Sequence, residues 1–278
     1  MLINGHTVII AHIGYPTHSF KAPLIYNPYF ANQGINALVV PMSCQSDNYE
    51  PLVRSLFRLG NVAGALITMP HKVRTVDLVD EVLPAAAIAG ACNAIRLGPQ
   101  GQLQGDMFDG EGFVRGVMRK GFELQGARAL VVGAGGVGCA IAASLAGAGI
   151  AAISLFDVNA AGCEALAQRL KDNYPRIDVR TGSSDPAGHD LVVNATPMGM
   201  NEGDPLPMDV SRLSPDTFVG EVVMKAETTA FLAAAQARGC RTQVGTDMLY
   251  EQIPAYLEYF GLPTTTADVL RRVARLSY

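Results

Sequence analysis

The sequence predicts an α/β protein built as two domains, and three observations carry that expectation. Apolar runs of strand length alternate with helical patterns. The alternation starts afresh after residue 125. A chain of 278 residues with 49% hydrophobic and only 17% charged side chains can bury two cores of ordinary size. The break between domains is expected near Asp106 to Gly126. Residues 1–106, completed by C-terminal helices over 246–278, should form one domain and residues 107–245 the other, with a cleft between them.

In chain order, TVIIAHIG, INALVVPM and GALITMP read as strands, and PLIYNPYFANQG and YEPLVRSLFRLG as helices. Each is bounded by Gly, Pro or Asn, which interrupt regular structure. Strand and helix in alternation imply a parallel sheet. The next stretch, AGACNAIRLGPQGQLQGDMFDGEGF, is glycine-rich with short extended pieces, which predicts a hairpin leading into a crossing helix. The second series opens with ARALVVGAGGVGCAIAASLAGAG and continues through AISLFDV, AAGCEALAQRLKDNY, DLVVNATPMGM, TFVGEVV, TTAFLAAAQARG and CRTQVG. DMLYEQIPAYLEYFG and TADVLRRVARLSY close the chain with apolar faces that need a partner, and the first domain is the expected one.

Composition narrows the function. A net charge of −4, a pI near 5.7 and 21 scattered Lys and Arg disfavour nucleic acid and anionic membranes. The five cysteines (Cys44, Cys92, Cys139, Cys163, Cys240) are far apart and show neither a CxxC pair nor a zinc spacing, so reduced thiols, no metal and a cytoplasmic setting are expected. MLINGHTVIIAHIG has no basic n-region and reads as a first strand, not a signal peptide. No apolar run reaches the roughly 18 residues of a membrane span. A small-molecule partner and a monomer or homodimer are the expectation.

VVGAGGVGCA places Gly133, Gly135 and Gly138 in G-x-G-x-x-G spacing, with Ala134, Gly136 and Val137 between them, after the strand ALVV and at the start of a helix. Side chains at this turn would keep a pyrophosphate from the helix N-terminus, where free amide hydrogens and the dipole favour an anion. The next strand, ISLF, ends at Asp157, about where a dinucleotide fold puts its ribose-binding carboxylate. That carboxylate would repel a 2′-phosphate, and Val158, Asn159 and Ala160 bring no cation, so NAD is expected over NADP. Asn194, Ala195 and Thr196 close a later strand, either at the cofactor edge or as an ordinary turn.

In L-I-T-M-P-H-K, Pro70 breaks a buried strand and delivers His71 and Lys72 at its mouth. A lone lysine is more often a solvated surface charge. Here Asn93, Asp109 and Gln252 stand at other strand or turn ends, and a lysine beside a carboxylate can pass a proton to or from a hydroxyl while the cofactor handles the hydride. His71, pointing the other way on an extended segment, is read as structural.

With these residues the chain resembles the shikimate dehydrogenase family. The ordered motifs are G-x-P after the first strand, T-x-P-x-K at Thr68 to Lys72, G-A-x-N at Gly90 to Asn93, D-G-x-G-F at Asp109 to Phe113, GAGG at Gly133 to Gly136, NAT at Asn194 to Thr196 and M-L-x-x-Q at Met248 to Gln252. The resemblance implies an N-terminal substrate domain, a Rossmann-type cofactor domain and reversible oxidation of a ring hydroxyl on shikimate, quinate or a related cyclic hydroxy acid. It implies Lys72 and Asp109 as the catalytic pair, Thr68, Asn93 and Gln252 as holders of substrate hydroxyls, and Gly245 against the nicotinamide.

Several positions depart from the family pattern. H-S-x-S-P after the first strand becomes S-F-K-A-P, with Phe20 and Ala22 in place of both serines, which leaves Ser19 or Lys21 to meet a carboxylate. N-V-T-x-P becomes L-I-T-M-P, with Leu66 for asparagine, and N-T-D becomes M-F-D. N-R-T becomes D-V-N, in line with NAD. D-x-V-Y-x-P becomes E-V-V-M-K-A, with Val222 and Met224 left to touch the nicotinamide. Two other readings compete: a methylenetetrahydrofolate dehydrogenase-like enzyme, whose folate motifs are not matched here, and a catalytically idle dinucleotide-sensing module, against which the retained Lys72, Asp109 and Gln252 argue.

Overall fold

A computed structural model describes residues 3–276 and divides into two units: residues up to Phe108 together with those from Ile253 on, and Asp109–Gln252. The first unit begins β1 (Val8–Gly14), α1 (Pro23–Gln33), β2 (Ala37–Ser43), α2 (Ser46–Leu56) and β3 (Val62–Ile67). β1 lies between β2 and β3, parallel to both. A strand buried on both faces needs apolar residues throughout, which VIIAHIG supplies except at His12. α1 starts with Pro23, whose fixed φ suits a first helical position, and stops at Gly34, whose amide bonds Phe30 O in a left-handed cap. β3 ends two residues earlier than the sequence pattern suggests, so Thr68 already belongs to the turn, where its amide still bonds Ile13 O.

The sheet then departs from a purely parallel arrangement. After α3 (Thr75–Leu78), β4 (Glu81–Val82) and α4 (Pro84–Ala89), the strands β5 (Ala94–Leu97) and β6 (Leu103–Asp106) form the expected hairpin. β5 runs antiparallel to β3, giving the order β2-β1-β3-β5-β6-β4. A tight turn at Gly98–Gly101 leaves no room for a crossover helix, so the return must be antiparallel.

The second unit opens with α5 (Asp109–Arg119) and continues with β7 (Arg128–Val132), α6 (Gly136–Gly147), β8 (Ala152–Phe156), α7 (Ala160–Asn173), β9 (Asp178–Thr181), β10 (Leu191–Asn194), β11 (Phe218–Glu221), α8 (Ala230–Ala237) and β12 (Arg241–Gln243). All its strand pairs are parallel, in the order β12-β11-β10-β7-β8-β9. Leu130, Val132, Val192, Val219, Phe231 and Leu232 form part of one buried cluster beneath the sheet. The chain winds outward from β7 to β9 and then restarts at β10 on the other side of β7. The carboxyl ends of β7 and β10 are therefore the switch point, where such sheets bind ligands.

α9 (Gly245–Tyr259) passes from the second unit, to which Gln252 belongs, into the first, which begins again at Ile253. Its end is fastened to the β5–β6 hairpin. Arg96 donates to Tyr259 O at 2.7 Å and lies over the Tyr259 ring, and the Tyr259 hydroxyl donates to Gln104 O at 2.8 Å. α10 (Ala267–Val273) packs on α1. Of the closing pattern read from the sequence, Ser277 and Tyr278 lie outside the described residues, as do Met1 and Leu2 of the opening one.

Candidate active site

The glycine loop answers a local geometric demand. Gly133 follows β7 with φ of 107°, a conformation that L side chains rarely adopt, and a Cβ there would fall 2.7 Å from the carbonyl of Ala195. A Cβ on Gly138 would collide with Gly133 O. The loop after β7 and the N-A-T loop after β10 therefore touch at the switch point through bare backbone. Gly135 caps α6 without side-chain help, which leaves the first amides of a twelve-residue helix for a ligand. These residues, Gly133 to Gly138, fit the pyrophosphate of a dinucleotide.

Asp157 sits just past β8. Its two oxygens accept from Ala134 N at 2.6 Å and from Asn159 N at 2.8 Å, so the carboxylate fixes the glycine loop as well as its own turn. Beyond it a small pocket is lined by Asp157, Ala160, Cys163, Glu164, Thr181 and Gly182, two of them acids and none a base. Asn194 is fully buried and ties its side chain to its own loop, where Nδ2 donates to Met198 O at 3.0 Å and Oδ1 accepts from Thr196 N and Oγ1, while it also acts on the Glu221 carboxyl opposite. It shapes the loop that Ala195 and Thr196 present. Val222 and Met224 follow β11 and are half-buried, and Gly245 packs so closely on the Val222–Val223 backbone that a Cβ would overlap it.

Next to Val222, sequence reading passed over Glu221. It is fully buried at the end of β11, opposite Asn194 in register. Oε2 accepts from Thr229 Oγ1 at 2.9 Å, Oε1 has no partner, and burial pushes the carboxyl up to about 7. The only signal in the sequence was an acid at the end of an otherwise apolar strand.

In the first unit, Lys72 and Thr68 belong to the turn after β3. His71 N bonds Thr68 O, and Lys72 O accepts from Cys92 N at 2.8 Å, which joins the lysine's backbone to the segment carrying Asn93. His71 is wholly buried, stacked on Tyr49 at 4.1 Å, with Nε2 bonded to Cys44 O, as a structural histidine should be. Asn93 is 1% exposed; Oδ1 accepts from Phe108 N at 2.9 Å, and Nδ2 has no partner. That bond holds the residue next to Asp109. Phe20 stacks on His12 at 4.0 Å, Ser19 is exposed and Lys21 is half-buried.

Asp109 and Gln252 belong to the second unit and are buried at 3% and 6% exposure. Asp109 begins α5. Three residues on, a Cβ at Gly112 would fall 2.7 Å from Gln252 Cβ, so the glycine lets α9 approach within one turn of Asp109. Gln252 Oε1 is buried without a partner. Buried polar atoms are ordinarily satisfied. Asn93 Nδ2 and Gln252 Oε1 are thus a donor and an acceptor held ready for something other than protein.

A parallel sheet with a bare glycine loop at its switch point, in a chain that also presents a lysine at a strand mouth, defines the class of NAD(P)-dependent dehydrogenases. Comparison with known proteins supplies the family. Residues 12–95 match the shikimate dehydrogenase substrate binding domain. The chain is 36% identical over 277 residues to the shikimate dehydrogenase (NADP(+)) of Rubrobacter xylanophilus, covering 98% of this chain and 97% of the relative. It belongs to the shikimate dehydrogenase family and is an oxidoreductase acting on a CH–OH group. Among solved structures it is similar to shikimate 5-dehydrogenase of Listeria monocytogenes in complex with shikimate and NAD, at 26% identity and a TM-score of 0.89, with 98% and 97% of the two chains covered. It is also similar to the ligand-free 5-ketofructose reductase of a Gluconobacter species, at 25% identity and a TM-score of 0.86, with 97% and 98% covered.

Proposed function

We propose that the protein interconverts a ring hydroxyl of shikimate, quinate or a related cyclic compound and the corresponding ketone, with Lys72 and Asp109 as its acid–base pair. The observation that carries this reading is the pair of buried, unpartnered amide atoms, Asn93 Nδ2 and Gln252 Oε1, each tied closely to the position of Asp109. Unpaired buried polar groups cost free energy, so a substrate whose hydroxyls accept from Asn93 Nδ2 and donate to Gln252 Oε1 is held in one orientation. Bound nicotinamide supplies or accepts the hydride. Lys72 Nζ takes the hydroxyl proton on oxidation and returns it on reduction, and the Asp109 carboxylate keeps the ammonium form in place. Thr68 adds a hydroxyl at the same strand mouth. Steady-state turnover with shikimate and quinate tests the reading; no turnover of either by the unmodified protein would sink it.

We infer further that NAD is preferred, although the Rubrobacter relative is named for NADP(+). Asp157 and Glu164 line the pocket beyond β8 without a cation, and a 2′-phosphate placed there would meet like charge. Equal kcat/KM for NAD and NADP, or a preference for NADP, would overturn this.

A second substrate reading has its own support. Phe20 and Ala22 stand where the family carries serines, and Ser19 is exposed, which leaves the half-buried Lys21 as the cation of this segment that could meet a carboxylate. The Gluconobacter relative is named as a reductase of 5-ketofructose, a compound without a carboxylate. A neutral polyhydroxy ketone therefore belongs in the substrate panel.

A further inference from the structure

His12 is the single polar side chain in the buried strand VIIAHIG. It is 8% exposed and Nδ1 has no partner. The contrast with His71 is direct. Both rings stack on an aromatic neighbour and both leave Nδ1 unpartnered, but His71 gives Nε2 to Cys44 O, and no hydrogen bond to the His12 side chain is found among the described residues. A histidine kept only for packing would be better replaced by an apolar residue, because its buried Nδ1 loses water and gains nothing in return.

The location of His12 gives it a use. In register, it lies beside Leu66 of β3, and paired residues of parallel strands face the same side. Thr68, in the turn beyond β3, is on that side too: its methyl lies where a Cβ on Gly14, two residues after His12, would fall. Leu66 occupies the place where the family pattern has asparagine. The polar group missing from β3 thus reappears one strand away on β1, under the Phe20 ring and within the field of Lys72. Burial, with Lys72 second, lowers the His12 pKa to about 3, so the ring is neutral at any ordinary working pH. A neutral imidazole can donate to a carbonyl or accept from a hydroxyl, whereas a carboxylate is better met by a cation.

We propose that His12 is a substrate-binding residue whose imidazole hydrogen-bonds an uncharged oxygen, hydroxyl or carbonyl, of a polyhydroxylated substrate. This rests on the assignment of Thr68 and Lys72 to the substrate site. It adds a selectivity element: the oxygen that meets β1 is neutral, and specificity there is set by the presence of that oxygen rather than by a carboxylate.

The test uses His12→Leu and His12→Asn in the full chain, with shikimate, quinate and 5-ketofructose as substrates. For the best substrate, kcat/KM should fall about 10- to 100-fold in His12→Leu, mostly through KM, and recover in part in His12→Asn. NADH affinity, read from its fluorescence, should stay within about twofold. An analogue of that substrate lacking the contacted hydroxyl should be turned over equally by the unmodified protein and His12→Leu. Equal kcat/KM for both variants and the unmodified protein, or equal losses in both variants with lowered Tm, would overturn the proposal. A second measurement does not depend on turnover: the ¹⁵N resonances of His12 in the Lys72→Met protein should move on adding millimolar substrate with NADH. If no substrate is turned over, the assignment of Lys72 falls, and the His12 proposal is then decided by that titration; no shift with any of the three compounds overturns it.

Discussion

The glycine loop of this protein and the residues proposed to meet its substrate are built on different principles. Around the glycine loop the two side chains that fix the backbone are already engaged: Asp157 accepts two backbone amides, and Asn194 uses both ends of its amide inside its own turn. The bare helix start after Gly135 offers backbone amides to the ligand. Among the residues proposed to meet substrate, His12 Nδ1, Asn93 Nδ2 and Gln252 Oε1 are buried and unmatched. A site that binds through backbone can be satisfied before the ligand arrives. A site that reads hydroxyl positions must keep donors and acceptors unspent, and it costs stability to do so.

The largest effect should come from the substrate side. Lys72→Met is expected to lower kcat by about 10²- to 10⁴-fold and leave NADH affinity nearly unchanged, since the glycine loop belongs to the other unit. Asp109→Asn should also lower kcat. The double variant should lose far less than the product of the single losses, as residues acting as one unit do. Steady-state kinetics on the best substrate decide it; full turnover by Lys72→Met would return Lys72 to the status of a strand-end charge.

The cofactor side should break differently. In Gly138→Ala the new methyl meets the Gly133 carbonyl, a backbone atom that cannot swing aside, and overpacking of this kind costs about 1–3 kcal/mol. Cofactor affinity should drop roughly tenfold or more, with Tm lowered, while the ring ¹⁵N signal of His12 stays in place. Unaltered affinity would mean that the loop is not the pyrophosphate cradle.

A smaller effect, about tenfold in relative kcat/KM, is expected from Asp157→Ser with Asn159→Arg, which removes the like charge and adds a phosphate partner. The shift should favour NADP. Asp157 also holds the Ala134 amide, so some loss with NAD should accompany it.

The last effect concerns Glu221 and is read in stability rather than in turnover. Its carboxyl is raised to about 7 in the folded protein against 4.5 unfolded, so the stability tied to its protonated form is fully present below about pH 4.5 and is lost as pH rises through 7. Glu221→Gln should therefore gain on the unmodified protein by about 2–3 kcal/mol between pH 5 and pH 8, as measured by urea unfolding. A constant difference across that range would show that Glu221 titrates normally.

The same contrast explains which features could be read from the chain alone. Two βα series, the glycine spacing and the acid after the next strand are determined locally, because a parallel strand, a tight turn and a helix start each demand particular residue types over a few positions. Lys72 and Thr68 were legible for the same reason: Pro70 closes the turn after β3, and its neighbours stand at a strand mouth. The antiparallel insertion of β5 and β6 was visible only as a hairpin, since its place beside β3 depends on strand order rather than on any one segment. The structural role expected of His71 agrees with its bond to Cys44, yet no local pattern around His12 marks it as lacking such a bond. That distinction, the approach of Gln252 to α5 over Gly112, and the closing of Asn194 on its own loop all depend on tertiary placement of side chains and backbone. Residue types and spacing determined which chemistry this protein carries; tertiary packing alone decided which polar atoms remain free to use it, because satisfaction of a hydrogen bond is a property of neighbours and not of the residue.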